Sequence, residues 1–455
     1  MKGIVGKQVL AIWVLLLAHG AATVAYADSL PLQKPVVTGA DTIGVLAPVV
    51  APLLAGLLFI ILAGFSLLDA GFTRAKNAAQ TVALNLMLLV VALLSYWLVG
   101  YRLQTGGGGA WLLNATATSA PTVTSFLQQS LFMMIAVIIP TGAMAERWSF
   151  KAALWYGIVM AAIIYPCYAH WVWGGGWLAL LGTTFGLDHG MLDVTGSAVV
   201  HMTGGMAALA GVTALGPRIG KFRKDGTPNA LPGHHIPMAV TGSLLLCFSW
   251  FCLIIGTTLA EAGPQIGLIA LNTLLSATAA SLAAMSFMWL LYGKPDLTMC
   301  TNGLLGGMVA ISAPCAVVNP MTALGIGLIA GLFCCLGIFW LERKLRLDDP
   351  VGAIAVHGIC GAWGVLALGL FANGTSGTYQ TAGLLYGGAG QFAAEVIGLL
   401  SNVCFVFGAL YLFFRLLKLI IPLRVPAEIE VEGLDRYEVG VEAYPDFNQR
   451  RTPFS

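Results

Sequence analysis

The sequence predicts an all-helical membrane protein of eleven spans, and three observations predict it. Of its 455 residues, 58% are apolar and only 9% are charged, with a mean hydropathy of +0.86. Soluble domains carry about 25% charged residues. Apolar stretches near the roughly 20 residues that cross a bilayer recur between polar breaks. Lys and Arg crowd every second loop. The sustained period-two alternation of a membrane β-barrel is not seen in the chain.

The chain opens "MKGIVGKQVLAIWVLLLAHGAATVAYADSL". Lys2 and Lys7 precede a short apolar run, and Ala-Tyr-Ala precedes Asp28. This is the pattern of a signal peptide over 1–27, the alternative being a first helix that is retained. A leader outside the membrane, 28–42, follows. The apolar stretches then read 43–68, 80–101, 125–145, 152–172, 195–216, 235–259, 265–291, 298–315, 321–341, 352–371 and 388–420. They make up a membrane domain over 43–420, with a cytoplasmic tail over 421–455.

Orientation follows from the basic residues. Arg74 and Lys76 follow span one, and Arg147 and Lys151 follow span three. Arg218, Lys221, Arg223 and Lys224 follow span five, and Lys294 follows span seven. "ERKLRLDDP" follows span nine, and "RLLKLIIPLR" closes span eleven. The opposite loops hold only Arg102, with Lys34 in the leader. The N-terminus is therefore expected outside and the C-terminus inside, in a bacterial inner membrane. No basic patch with interleaved aromatics suggests nucleic acid. The nine cysteines are scattered, mostly in apolar runs with no C-x-x-C, and read as small buried hydrophobes.

Two stretches carry the chemistry: "DVTGSAVVHMTGG" from Asp193 and "DPVGAIAVHGICG" from Asp349. Both read D-x-x-G-x-x-x-V-H-x-x-x-G. Asp193 stands at the outer end of span five and Asp349 at the inner end of span ten, so the motif runs in opposite senses. Spans one to five and six to ten thus read as an inverted repeat, with a long eleventh helix appended. Such repeats place binding sites near the midplane. Eight helical residues rise about 12 Å, which puts His201 and His357 near the bilayer centre, where two inverted helices crossing would bring them together. Ionisable residues at that depth are functional by default. Neutral imidazole offers one donor and one acceptor, and it takes or releases a proton near neutral pH. A pair of such rings passes a small neutral molecule or relays a proton; it solvates a bare cation poorly. The structural alternative is a buried pair that only fixes packing. Two histidines without a third ligand argue against zinc.

Asp193 and Asp349 are placed to cap the helices that follow them. Trp171 and Trp173 in "YAHWVWGGGWLALLG" lie at the outer end of span four, Phe132 at the start of span three, and Trp250, Phe251 and Thr257 towards the end of span six. An interfacial tryptophan is usually a belt residue; at a pore mouth it forms one wall of a cation–π site.

"GAMAERWSF", "AHWVWGGGW", the two histidine segments and "RVPAEIEVEGLDRYEVGVEAY" together resemble the ammonium transporters of the Amt/Rh family, from about residue 45 to 445. The likeness is closer to bacterial Amt proteins than to Rh proteins. It implies eleven spans, an inverted five-plus-five repeat and a homotrimer with one pore per subunit. Phe132 is then the outer aromatic gate, and Trp173 and Thr257 shape the outer ammonium site. Asp193 supports that site, and His201 with His357 form the pore pair. The implied activity is recruitment of ammonium, deprotonation, and passage of ammonia along the imidazoles, with net charge movement. Ammonium or methylammonium would be the substrate, with no cofactor and no enzymatic reaction.

The chain departs from the family pattern in places. Leu253 stands where a second gate phenylalanine is usual, and Asp69 where an aromatic-glycine stretch is usual. Val439 and Val441 replace the His and Glu of the tail segment tied to subunit coupling and to PII-type signalling proteins. An ammonium sensor of the same fold is the alternative reading; the tail after Arg424 is 31 residues, too short for an enzymatic output domain.

Overall fold

The computed structural model describes residues 39–106, 120–262, 265–373 and 380–445. The expected signal peptide and most of the expected leader lie outside the described residues, as does the end of the tail. The described chain is helical, with three isolated β-bridges and no strand. Among the described residues, ten helices are long and apolar enough to cross a membrane. The helix at expected span eight, Leu297–Ser312, is apolar but has only 16 residues. At 1.5 Å per residue this is about 24 Å, short of a full hydrocarbon core.

Local chemistry sets the helix ends. Ser149 accepts from the Ala152 amide to begin the fourth span, Phe150–Trp173. Pro166 lies inside that span and has no N–H to donate. A π turn, Met160–Ile164, ends two residues before it. Asp296 caps the eighth helix at the Thr298 and Met299 amides. Asn319 caps the ninth span, Pro320–Arg343, with Pro320 at its first position, where a missing N–H costs nothing. Gly293 takes a φ of 76° to stop the seventh span, Ile266–Tyr292, a conformation that glycine adopts without strain.

Neighbour relations repeat with a shift of five spans. The first and third spans pack together, as do the sixth span and the eighth helix. The pairs two–three, two–four and three–five have counterparts in seven–eight, seven–nine and eight–ten. The first and sixth spans pack along each other. The fifth span, Ser197–Leu215, and the tenth, Ile354–Phe371, meet at the centre. The eleventh, Ala389–Leu417, lies against both.

The opposite ends of the spans are tied together by charge. Arg218 is buried and binds Asp348 through Nε and Nη2 at 2.8 and 2.9 Å, and Glu146 through Nη1 at 3.0 Å. Arg74 pairs with the same Glu146. Arg147 donates to the Asp348 carbonyl at 2.7 Å. The tail folds back onto this face. Arg424 pairs with Glu430, whose carboxylate also accepts the Ile219 amide at 2.7 Å. Asp435 accepts the Gln80 amide at 2.8 Å, and Glu438 the Phe150 amide at 2.8 Å.

Candidate functional site

The two motifs fold into matching devices. Asp193 is buried, and its carboxylate accepts four successive backbone amides. Oδ1 takes Gly196 and Ser197 at 2.9 and 2.8 Å, and Oδ2 takes Ala198 and Val199, both at 2.8 Å. Asp349 accepts Gly352 at 3.0 Å and Ile354 at 2.8 Å in the same manner. Gly196 and Gly352 hold φ values of 104° and 79° at the bends between cap and helix. Each helix then opens with a six-residue π turn, Ser197–Met202 and Ile354–Ile359, and each turn carries a motif histidine. Capping is thus what both aspartates do. A carboxylate satisfies four amide donors that an apolar interior leaves without water.

The helices cross antiparallel. Gly205 abuts Gly358, while Gly361 abuts Met202 and Gly364 abuts Ser197, so later residues of one helix meet earlier residues of the other. A Cβ on Gly205 would lie 2.5 Å from the Gly358 Cα. Glycine therefore permits the approach that brings the histidines together. His201 Nδ1 and His357 Nδ1 are 3.0 Å apart, with ring centroids 5.1 Å apart and planes 14° from parallel. A hydrogen bond between two Nδ1 atoms requires one to donate and the other to accept. Two imidazolium rings cannot form it, since both Nδ1 atoms would carry hydrogen. With both rings neutral, one Nε2 is an acceptor and the other a donor. The Nε2 of His201 is buried and has no partner. Among the described residues no cluster of three or more metal-ligating side chains exists.

Two aromatic rings frame the pair. Trp250 stacks on His201, with centroids 3.8 Å apart and planes 20° from parallel. Phe65 lies 6.5 Å from His357. Sequence reading names Trp250 only as one aromatic among several, because nothing in its spacing shows which face of span six meets a histidine. Towards the Asp193 end of the fifth span, Phe132 and Trp173 lie 5.1 Å apart, centroid to centroid. The Trp173 indole donates to the Asp193 carbonyl at 2.7 Å. Asp193 therefore reaches the aromatic wall through its backbone, while its carboxylate faces the helix behind. Leu253 is buried at 1% exposure on the sixth span, Ile236–Ala262. Thr257 lies on the last turns of the same helix, where side chains are outside the described part of the structure.

The family model described as "Ammonium Transporter Family" matches residues 49–444. The chain belongs to the ammonium transporter family. The chain is 43% identical over 399 residues to ammonium transporter Amt2 of Archaeoglobus fulgidus, covering 85% of each chain. It is 35% identical over 417 residues to ammonium transporter 1 member 3 of Solanum lycopersicum, covering 85% of this chain and 90% of that one. Among solved structures, a protein titled "Sensor Amt Protein" superposes with a TM-score of 0.80 at 31% identity, covering 87% of this chain and 98% of its own. Mep2 of Candida albicans superposes with a TM-score of 0.75 at 25% identity, covering 90% and 92%. The curated relatives are named as transporters, so the chain is a member of a membrane transport family and not an enzyme.

Proposed function

We propose that this protein conducts ammonium by recruiting it at an outer aromatic site, removing one proton and passing ammonia along His201 and His357. The observation that carries the reading is the buried Nδ1–Nδ1 contact of 3.0 Å between rings of mirrored motifs. Phe132 and Trp173 supply aromatic faces that attract a cation; Thr257 completes the outer site, and Leu253 takes the second gate position. Beyond that wall the cost of a bare charge in a dry passage favours the neutral molecule. A ring Nε2 that accepts and one that donates suit ammonia, which does both. Potassium has no proton to release and is rejected. The proton crosses separately or by relay, which makes transport electrogenic; methylammonium fits the same chemistry.

The proposal includes the architecture expected from the sequence: eleven spans with the short eighth helix among them, an inverted repeat, a cleaved leader, an outer N-terminus and an inner C-terminus. The setting is a bacterial inner membrane, and the assembly a homotrimer. The docked tail leaves PII-type binding open, with Val439 and Val441 at the altered positions.

A sensor reading is kept because the solved sensor Amt protein aligns with 87% of this chain. Ammonium-evoked current in proteoliposomes separates the two. A saturable wild-type current, silent with potassium and altered in His201→Ala and His357→Ala, supports transport. Protein that binds ammonium without passing current refutes it and supports the sensor.

A further inference from the structure

Span eleven carries a carboxyl that the proposed path does not use. Glu395 is fully buried. Its Oε1 accepts the Leu192 amide at 2.9 Å and the Gln391 Nε2 at 2.6 Å. Its Oε2 is buried and has no hydrogen-bond partner. Among the described residues no Lys, Arg or His forms an ion pair with it.

The position is telling because Leu192 immediately precedes Asp193. The Asp193 carbonyl receives the Trp173 indole, and the Asp193 carboxylate holds the turn that bears His201. Gln391, the partner of Glu395, also donates to the Gly190 carbonyl at 2.8 Å and accepts the His189 amide at 3.4 Å, so the segment before Asp193 is pinned to span eleven at three points. Further along the same span, the Tyr168 hydroxyl donates to the Gly398 carbonyl at 3.0 Å, and Asn402 Nδ2 donates to Thr203 Oγ1 at 2.8 Å. The span outside the repeat thus braces the outer site and the first histidine helix from behind.

We propose that Glu395 is a positioning residue for the outer ammonium site: as a hydrogen-bond acceptor it fixes the Leu192 amide and, through the next residue, sets where the Asp193 carbonyl holds Trp173. The proposal rests on the outer-site reading above. The role is that of an acceptor and not of a charge, since an isolated carboxylate among apolar helices is costly and has no cation here. A glutamine keeps Oε1 for both donors. A leucine of similar bulk leaves the Leu192 amide without this acceptor.

The test is titration calorimetry of the purified full chain with ammonium chloride, against potassium chloride, for wild type, Glu395→Gln and Glu395→Leu. The expected result is a dissociation constant within about twofold of wild type for the Gln variant, and one raised about tenfold for the Leu variant, where Trp173 is no longer held in the geometry that receives the cation. An unchanged constant in the Leu variant overturns the proposal. So does a Gln variant as weak as the Leu variant, which would make charge the requirement. If the Leu variant does not fold, Gln391→Leu loosens the same carboxyl and is expected to raise the constant several-fold; no change there overturns the proposal equally. Binding is read without transport, so a wild type that binds but passes no current refutes the transport reading while leaving this comparison decisive.

Discussion

Asp193→Asn removes one charge and almost no volume, yet the geometry makes it a severe change. The carboxylate serves two amides on each oxygen, at 2.8–2.9 Å. Asparagine keeps one accepting oxygen; its NH2 group then faces two N–H donors, and turning the amide over only exchanges the pairs. Two buried amides lose their acceptor at about 1–3 kcal/mol each, or about 2–6 kcal/mol together. Native proteins hold about 5–15 kcal/mol, so the variant should fold but with much of its margin gone. The loss falls on the π turn Ser197–Met202, whose fifth residue is His201. The assay is thermal unfolding of the solubilised protein beside ammonium current in proteoliposomes. The expected outcome is a lowered unfolding temperature and a current reduced far more than the amount of folded protein. An Asn variant within about 0.5 kcal/mol of wild type and with full current would show that the four amides are satisfied by other means, and the capping argument would fail.

Three further outcomes follow from the same structure. Gly205→Ala places a methyl against Gly358 and should cost about 1–3 kcal/mol by overpacking; the helices must part at the histidine crossing, so current should fall, while Gly325→Ala, where nothing lies within 4 Å of the added carbon, should behave as wild type. Arg218→Ala strips Asp348 and Glu146 of a buried partner and should cost about 3–5 kcal/mol, measured by chemical unfolding. Burial pushes the Asp348 carboxyl up, but the Arg218 hydrogen bonds and the charges of Arg147 and Arg218 outweigh it and hold Asp348 well below the ordinary carboxylate range. A depressed carboxyl stabilises the fold above its unfolded value of roughly 4, and the contribution is lost as pH falls towards the folded value; acid unfolding should therefore begin at higher pH in the Arg218→Ala variant than in wild type.

Much of the site is legible in the sequence because its signals are local or periodic. A span needs a run of apolar residues, whoever its neighbours are, and the mirrored D-x-x-G-x-x-x-V-H motifs are visible as strings. Their meeting also follows, since two inverted helices with a histidine eight residues past each cap cross near the same depth. The eighth helix shows the limit: its apolar run reads as 298–315, but Leu297–Ser312 ends where the chain turns beside the fifth-span cap, with the Ser312 carbonyl accepting the Thr195 amide at 3.0 Å. Glu395 carries a signal of its own in the sequence, an acid inside an apolar run, which is a functional candidate at that depth.

By itself, then, the sequence determined the helical membrane class, the repeat, the two histidines and the aspartates that cap their helices, because each depends on composition or on spacing along one helix. Only the tertiary structure decided which ring lies on which. Trp250 stacks on His201, the Asp193 carboxylate turns to backbone amides while its carbonyl takes Trp173, and Glu395 reaches across 203 residues to the Leu192 amide. The physical reason is that these are contacts between helices. The rotation of one helix about its axis is set by close packing at glycines such as Gly205 and by buried polar groups that must find partners, and neither quantity can be read along a single strand of letters.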